Sequence, residues 1–382
     1  MGHPDSPLGP AHKSPGGSER RFTERFSPGE EAEVRERPSD PTPGGRPRPV
    51  LKLFSTCPPY GEASLNRYAQ QVAEVSRWSE EAGYAGILVY TDNSMVDSWL
   101  VAQVIIQNTQ SLCPLVAVQP AYIHPYTAAK MVTSLGNMYR RRLCLNMVAG
   151  GFKSDLIALN DTIPHDRRYH RLAEYTAIIK GLLAGSAPVT FDGEFYKVNN
   201  LKLSPPLPVH LFPGIFVSGS SAAGLEAART LGATAIQYPH PASDNADHPP
   251  PDGISCGIRV GIIARESEGE AWTAAHRRFP EDRQGQITHQ LVMKVSDSSW
   301  HQELSNLIPE TQVRQGPYWL TPFANYKTFC PYLVGSYPTV ARELAKYMSL
   351  GYETFILDVP PGREELAHTN TAFSLALGEV EQ

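Results

Sequence analysis

Arg259 stands in Gly257-Ile258-Arg259-Val260-Gly261, a permanent charge inside an otherwise apolar run. A guanidinium buried without a partner is costly, so this one must face a cavity mouth or pair with an internal carboxylate. At a cavity mouth it can hold an anion, or an oxygen that gains negative charge during a reaction. Gly219-Ser220-Ser221-Ala222-Ala223-Gly224 is the second candidate. It follows the strand-like run Gly214–Ser218 and opens a helix, so the Ser220 and Ser221 hydroxyls sit beside unpaired helix N–H groups. Such a seat suits a phosphate, with plain N-capping by serine as the competing reading. The glycine spacing fits neither a dinucleotide fingerprint nor a P-loop. Ala223 also stands where a G-x-S-x-G elbow needs its last glycine, which leaves a serine hydrolase using Ser221 as an outside alternative.

His165-Asp166-Arg167-Arg168-Tyr169-His170 precedes a helical pattern through Leu172, Tyr175, Ile178, Ile179 and Leu182. His, Arg and Tyr at a helix start can bind a phosphate or a ring edge; a solvated polar helix start is the plainer alternative. His165 and His170 are five apart, off the i,i+4 step of a helical metal pair, and no Cys/His cluster occurs, so no metal is expected. Three further polar groups close apolar runs: Thr91-Asp92-Asn93-Ser94, Gln119-Pro120, and Asn146 in Asn146-Met147-Val148-Ala149-Gly150-Gly151. These are the positions where barrel enzymes put their ligand contacts.

The elements that must position these groups recur. Val50–Ser55 reads as a strand, followed by a helix with Tyr68, Val72, Val75 and Trp78 on one face. A helix ending in glycine and running directly into an apolar strand is found at Gly83, Gly232 and Gly351. Strands apolar on both faces belong to parallel sheets covered by helices. With Leu115–Val118, Leu143–Val148, Gly214–Ser218 and Cys256–Ala264, the count reaches eight strands. That predicts an α/β fold, a (β/α)8 TIM barrel over residues 50–382; periodicity alone leaves a doubly wound open sheet as the alternative. Two segments break the repeat. Thr190–Tyr196 carries Asp192-Gly193, the signal of a hairpin with a type I′ turn. Residues 281–335 form a long, aromatic late insertion, read as a lid over the barrel mouth or as a fixed helical decoration.

Residues 1–49 hold ten of the 34 prolines, with many Gly, Ser and charged residues, and are expected to be a disordered tail. Arg20-Arg21 is not followed by the apolar region of an export signal. A net charge of −5 gives no reason to expect nucleic acid, and no run approaches a membrane span. Five scattered cysteines suggest a reducing, cytoplasmic setting.

Taken in order, TDNSMVDSW (91–99), VAVQP (116–120), LNMVAGG (145–151), HDRRY (165–169), FVSGSS (216–221), GIRVGIIARESEGEAW (257–272) and YPTV (337–340) resemble the bacterial luciferase-like monooxygenases, alkanesulfonate branch. The resemblance implies a two-component enzyme that uses reduced FMN and O2, through a flavin peroxide or hydroperoxide, to oxygenate a small organic substrate. It implies a separate NAD(P)H-dependent flavin reductase as partner, and a homodimer or homotetramer. By resemblance Ser220, Ser221 and Tyr169 hold the phosphate, while Thr91, Gln119 and Asn146 lie along the flavin. Arg259 and His165 become the catalytic candidates, and Tyr60, Met95, Tyr238, Tyr326 and Lys327 the substrate pocket. Departures fall on the substrate side: Gly261 where the branch has a histidine, Met95 for a cysteine, Tyr326-Lys327 for a sulfonate-binding arginine and Val359 for a tyrosine. They imply a different substrate, carboxylic, amino-acid or carrier-bound, of specialised metabolism. An F420-dependent oxidoreductase on the same fold, or a flavin-binding barrel without catalysis, are the alternative implications.

Overall fold

The computed structural model describes residues 51–61, 66–151, 153–242, 249–295, 298–313 and 316–380. The expectation for residues 1–49 lies outside them. Eight parallel strands close into a barrel: β1 (Lys52–Thr56), β2 (Gly86–Val89), β3 (Cys113–Val118), β4 (Cys144–Val148), β7 (Gly214–Ser218), β8 (Thr234–Gln237), β9 (Cys256–Arg265) and β12 (Tyr352–Leu357). Each pairs with the next, β12 pairs with β1, and β8 pairs with β9, so the ring has no free edge. Open-sheet topology is thereby excluded.

The helices of the outer layer are α1 (Tyr68–Glu81), α2 (Ser98–Asn108), α3 (Pro125–Tyr139), α5 (His165–Ala184), α6 (Ala222–Leu231), α7 (Glu268–Arg278), α11 (Tyr337–Ser349) and α12 (Arg363–Val380), with a short α4 (Lys153–Ala158) before α5. At the three recurring joints Gly83, Gly232 and Gly351 have φ of 80°, 58° and 99°, values that any Cβ would strain. No helix among the described residues is long and apolar enough to cross a membrane.

Strand side chains alternate between the helix layer and the barrel interior. Leu145 and Met147 of β4 join the large core under the helices, whereas Cys144 joins Phe54, Leu88, Leu115, Phe216, Ile236 and Ile356 in an interior plug. Phe54 and Phe216 meet edge to face at 5.6 Å within it. The next inward position on each strand lies one layer nearer the C-terminal mouth, where filling gives way to function.

The hairpin forms as β5 (Val189–Asp192) and β6 (Lys197–Leu201), but the expected two-residue Asp-Gly turn does not. Asp192 pairs with Lys197 across a four-residue loop, because the buried Glu174 carboxylate accepts the N–H groups of Glu194, Phe195 and Tyr196 at 2.8–3.1 Å. Gly193 lets the loop approach, since a Cβ there would strike that carboxylate.

The late insertion comprises α8 (Arg283–Val295), α9 (Ser299–Val313), β10 (Tyr318–Trp319), α10 (Thr321–Ala324) and β11 (Tyr332–Ser336). Strand β9 is ten residues long and serves two partners. Its first half closes the barrel against β8 and β12, and Gly261–Arg265 then pair with Tyr332–Ser336 of β11.

At the opposite end of the barrel the Glu80 carboxylate fastens the turn before β3, accepting the N–H groups of Gln110, Ser111 and Leu112 at 2.5–3.0 Å. Burial alone would raise its pKa, but these bonds outweigh burial and hold it down near 2. A carboxylate with a depressed folded pKa gives stability that is fully present above its ordinary value of 4.5 and lost as pH falls towards 2. Glu80→Gln therefore lowers stability at pH 7 by on the order of 1 kcal/mol, allowing for solvent screening, and flattens the pH dependence over that acid window. Urea unfolding at pH 3, 5 and 7 reads both effects.

Candidate active site

The residues that follow the interior plug line one cavity of about 220 Å³ at the C-terminal mouth of the barrel. Two positions beyond Leu88, Leu115, Cys144, Phe216, Ile236 and Ile356 stand Tyr90, Ala117, Asn146, Ser218, Tyr238 and Asp358, all lining it. The period of two that stacks apolar side chains below thus delivers a largely polar ring above. Asn146 is buried and accepts a hydrogen bond from the Ser218 hydroxyl at 2.8 Å.

On one wall Gly219, Ser220 and Ser221 precede α6. Ser221 caps that helix, its hydroxyl accepting from the Gly224 N–H at 3.2 Å. The Ser220 hydroxyl is buried with no partner among the described residues. Tyr169 closes the other side of this turn, against Gly219, whose φ of 157° and missing Cβ admit the Tyr169 hydroxyl. A helix N-terminus, an unpartnered hydroxyl and a backbone that must be glycine together make a seat for an anion. Plain capping accounts for Ser221 but leaves Ser220 unexplained.

Arg259, 5% exposed, faces the cavity from β9. Its guanidinium lies over the Tyr90 ring at 4.8 Å and donates to the Tyr238 hydroxyl at 3.3 Å. Nε and Nη2 have no partner among the described residues, and no carboxylate pairs with it. The cavity's lysine differs, since Lys327 is bound to Asp282 at 2.6 Å. That pairing holds the Asp282 carboxyl below its usual range.

The insertion roofs this side of the mouth. Trp300 stacks on Tyr238 with ring centroids 3.7 Å apart, and Ser298, Trp300, His301, Thr328 and Phe329 all line the cavity. Asp358, at the end of β12, accepts hydrogen bonds from the hydroxyls of Thr328 and Tyr332, both at 2.7 Å.

Of the residues selected from sequence, Thr91, Met95, Gln119, Asn146, His165, Tyr169, Ser220, Ser221, Tyr238, Arg259 and Lys327 line this cavity. Tyr60 and Tyr326 do not: Tyr60 packs edge to face on Tyr68, and Tyr326 packs on Phe329. Neither arginine of the His165–His170 run reaches in. Arg167 pairs with Glu194, and Arg168 is buried with its guanidinium donating to the Ile163 carbonyl. His165 begins α5 with its Nδ1 2.8 Å from Asp166. Sequence reasoning passed over Ser298, Trp300, His301 and Asp358. Only Asp358 carried a usable signal, as a carboxylate closing an apolar strand.

Gly261 has a local cause. The buried Tyr332 ring fills the space where a side chain at 261 would go.

A closed parallel barrel with an anion seat and an unpaired guanidinium at one mouth defines a ligand-binding barrel of the TIM class. The sequence model described as luciferase-like monooxygenase matches residues 52–354, and the chain belongs to that family. It is 36% identical over 307 residues to the 4-(gamma-L-glutamylamino)butanoyl-[BtrI acyl-carrier protein] monooxygenase BtrO of Niallia circulans, covering 79% of this chain and 89% of that one. Among solved structures it resembles the EDTA monooxygenase EmoA of Chelativorans sp. BNC1, with TM-score 0.66 and 15% identity over 87% of this chain and 95% of that one. It also resembles an F420-dependent secondary alcohol dehydrogenase, with TM-score 0.58 and 13% identity over 85% and 99% of the two chains. At these identities the likeness shows the fold.

Gly261→Ala forces the Tyr332 ring against its neighbours and costs about 1–3 kcal/mol, as overpacking does in tight cores. Denaturant unfolding measures it. Tyr332→Phe in the same background leaves that clash in place, whereas Tyr332→Leu relieves part of it.

Proposed function

We propose that this chain is the oxygenating component of a two-component system, using reduced FMN and O2 on an acyl substrate presented by a carrier protein. The observation that carries this reading is the pairing, in one cavity, of the Ser220–Ser221 anion seat with the buried, unpaired Arg259 guanidinium. The residues fit FMN. Ser220 has an unused buried hydroxyl at a helix N-terminus where a phosphate would sit, with Ser221 and Tyr169 beside it. Thr91, Gln119, Asn146 and His165 line the same cavity as that seat and Arg259. When bound, reduced FMN supplies the electrons that activate O2.

The chain's own part is to orient and to shield. Arg259 offers two free N–H-bearing nitrogens to oxygen that becomes negatively charged, in a site where low dielectric strengthens the interaction. The Tyr238–Trp300 stack and the residues around it keep bulk water from that wall. The carrier-bound substrate class is supported by the relative named for an acyl-carrier-protein substrate, and by the loss of the sulfonate-binding pattern. A free NAD(P)H-dependent reductase supplies the flavin, and the chain works as a homodimer or homotetramer in the cytoplasm.

The test is a titration with photoreduced FMN followed by O2 admission. Reduced FMN bound to the wild type is reoxidised on a different time course from FMN free in buffer; an unchanged course, with tight binding of F420 instead, rejects the reading in favour of deazaflavin chemistry. Arg259→Ala keeps FMN affinity within about threefold yet returns reoxidation to the free rate. Ser220→Ala weakens FMN about three- to tenfold, the worth of one hydrogen bond, and leaves riboflavin affinity unchanged.

A further inference from the structure

Within the roof of this cavity is a group that neither the barrel nor the anion seat requires. His301, in the first turn of α9, is 5% exposed, and both its ring nitrogens are buried with no partner among the described residues. Buried polar atoms are nearly always bonded, so a side chain with two unbonded nitrogens lining a cavity is waiting for a ligand. We propose that His301 binds substrate, and that a planar carbon-bound oxygen, a carboxylate or an acyl carbonyl, is held between its imidazole and the Arg259 guanidinium. The proposal rests on this cavity being the substrate site of the monooxygenase described above.

Three observations select that ligand chemistry. First, the donors are right: burial, with His289 and Arg259 adding to it, pushes the His301 pKa down to about 3, so the ring is neutral and offers one N–H and one lone pair. Arg259 contributes N–H groups only. Second, among the described lining residues the other permanent cation, Lys327, is engaged by Asp282 and does not compete for the oxygen. Third, the surroundings are apolar. The His301 ring lies 3.6 Å from Trp300, 5.7 Å from Phe329 and 6.0 Å from Phe323, centroid to centroid. Such walls suit the carbon chain of an acyl group and not a second phosphate, for which the cavity already has a seat at Ser220 and Ser221.

The position of the ring is set by the insertion and not by the barrel. Trp300, its neighbour in sequence, is stacked on Tyr238, which in turn accepts from Arg259. One contact chain therefore runs from the barrel guanidinium through two aromatic rings to the imidazole. The Ser305 hydroxyl, donating to the His301 carbonyl at 2.6 Å, steadies the helix turn that carries it.

The experiment titrates the full chain with hexanoate and with hexanamide by calorimetry, and with oxidised FMN separately. Wild type binds at least one of the two acyl probes. His301→Phe, which keeps a planar ring, slightly larger and without nitrogens, weakens that binding about tenfold, whereas His301→Gln, which keeps an N–H, stays within about threefold. A response of hexanoate alone identifies the oxygen as a carboxylate, and a response of both identifies an acyl carbonyl. If His301→Phe fails to fold, the Cε1 resonance of His301 in 13C-histidine-labelled wild type, assigned through His301→Gln, gives the same answer by shifting on probe addition. No probe binding by wild type, equal binding by wild type and His301→Phe, or an unmoved resonance overturns the proposal. Because FMN is titrated apart, a chain that loses only the flavin reading still shows the His301 effect, and one that loses only the His301 effect still binds FMN.

Discussion

The constraint on which this molecule turns is a guanidinium placed inside a barrel with no carboxylate bonded to it among the described residues. Leaving one member of a buried ion pair uncompensated costs roughly 3–5 kcal/mol in other proteins, so a chain does not carry such a group idly. Here the charge is eased by the Tyr90 ring face and the Tyr238 hydroxyl, and two nitrogens have no partner among the described residues. Much of the surrounding structure reads as provision for that arrangement. The apolar plug beneath keeps water from entering from below, and the aromatic roof limits it from above.

Charge placement elsewhere follows the opposite rule. Glu174 is buried against three backbone N–H groups, Arg171 against Asp161 at 2.6 Å and Arg265 against Glu365 at 2.9 Å. Lys327 is neutralised by Asp282 although it borders the cavity. Among the described residues these buried charges are paired where they support the fold, whereas Arg259 lines the cavity with no carboxylate bonded to it. Tyr332 shows how far this goes. Its ring takes the volume of any side chain at 261, and its hydroxyl helps to fix Asp358 at the end of the last strand.

The barrel was legible because its signals are local. Most barrel strands are short apolar runs, and three of the helix–strand joints carry a glycine in left-handed conformation, so periodicity and one residue type go far. Most of the cavity-lining residues chosen from sequence were legible for the same reason, since they close those runs. What failed depended on contacts between segments distant in sequence. The hairpin loop is shaped by Glu174, twenty residues upstream of Glu194, and Asp-Gly could not announce that. Tyr326 was placed by counting along the chain, yet its positive φ of 54° and its packing on Phe329 leave Lys327 to line the cavity instead. His301 and Trp300 become part of the site because the insertion folds back over the mouth; its length and aromatic content raised that reading, but no pattern in residues 281–335 singles out these two side chains.

The double service of β9 has a consequence for how such a protein can diverge. Its near half belongs to the ring and carries Arg259; its far half is bonded to β11, the returning end of the insertion. The returning end of the roof is thus moored in the strand that carries Arg259, and the stretch from α8 to α10 bears no load in closing the barrel. Such a stretch can be lengthened, shortened or exchanged as a cassette, altering which molecules are admitted while the barrel mouth beneath keeps its form.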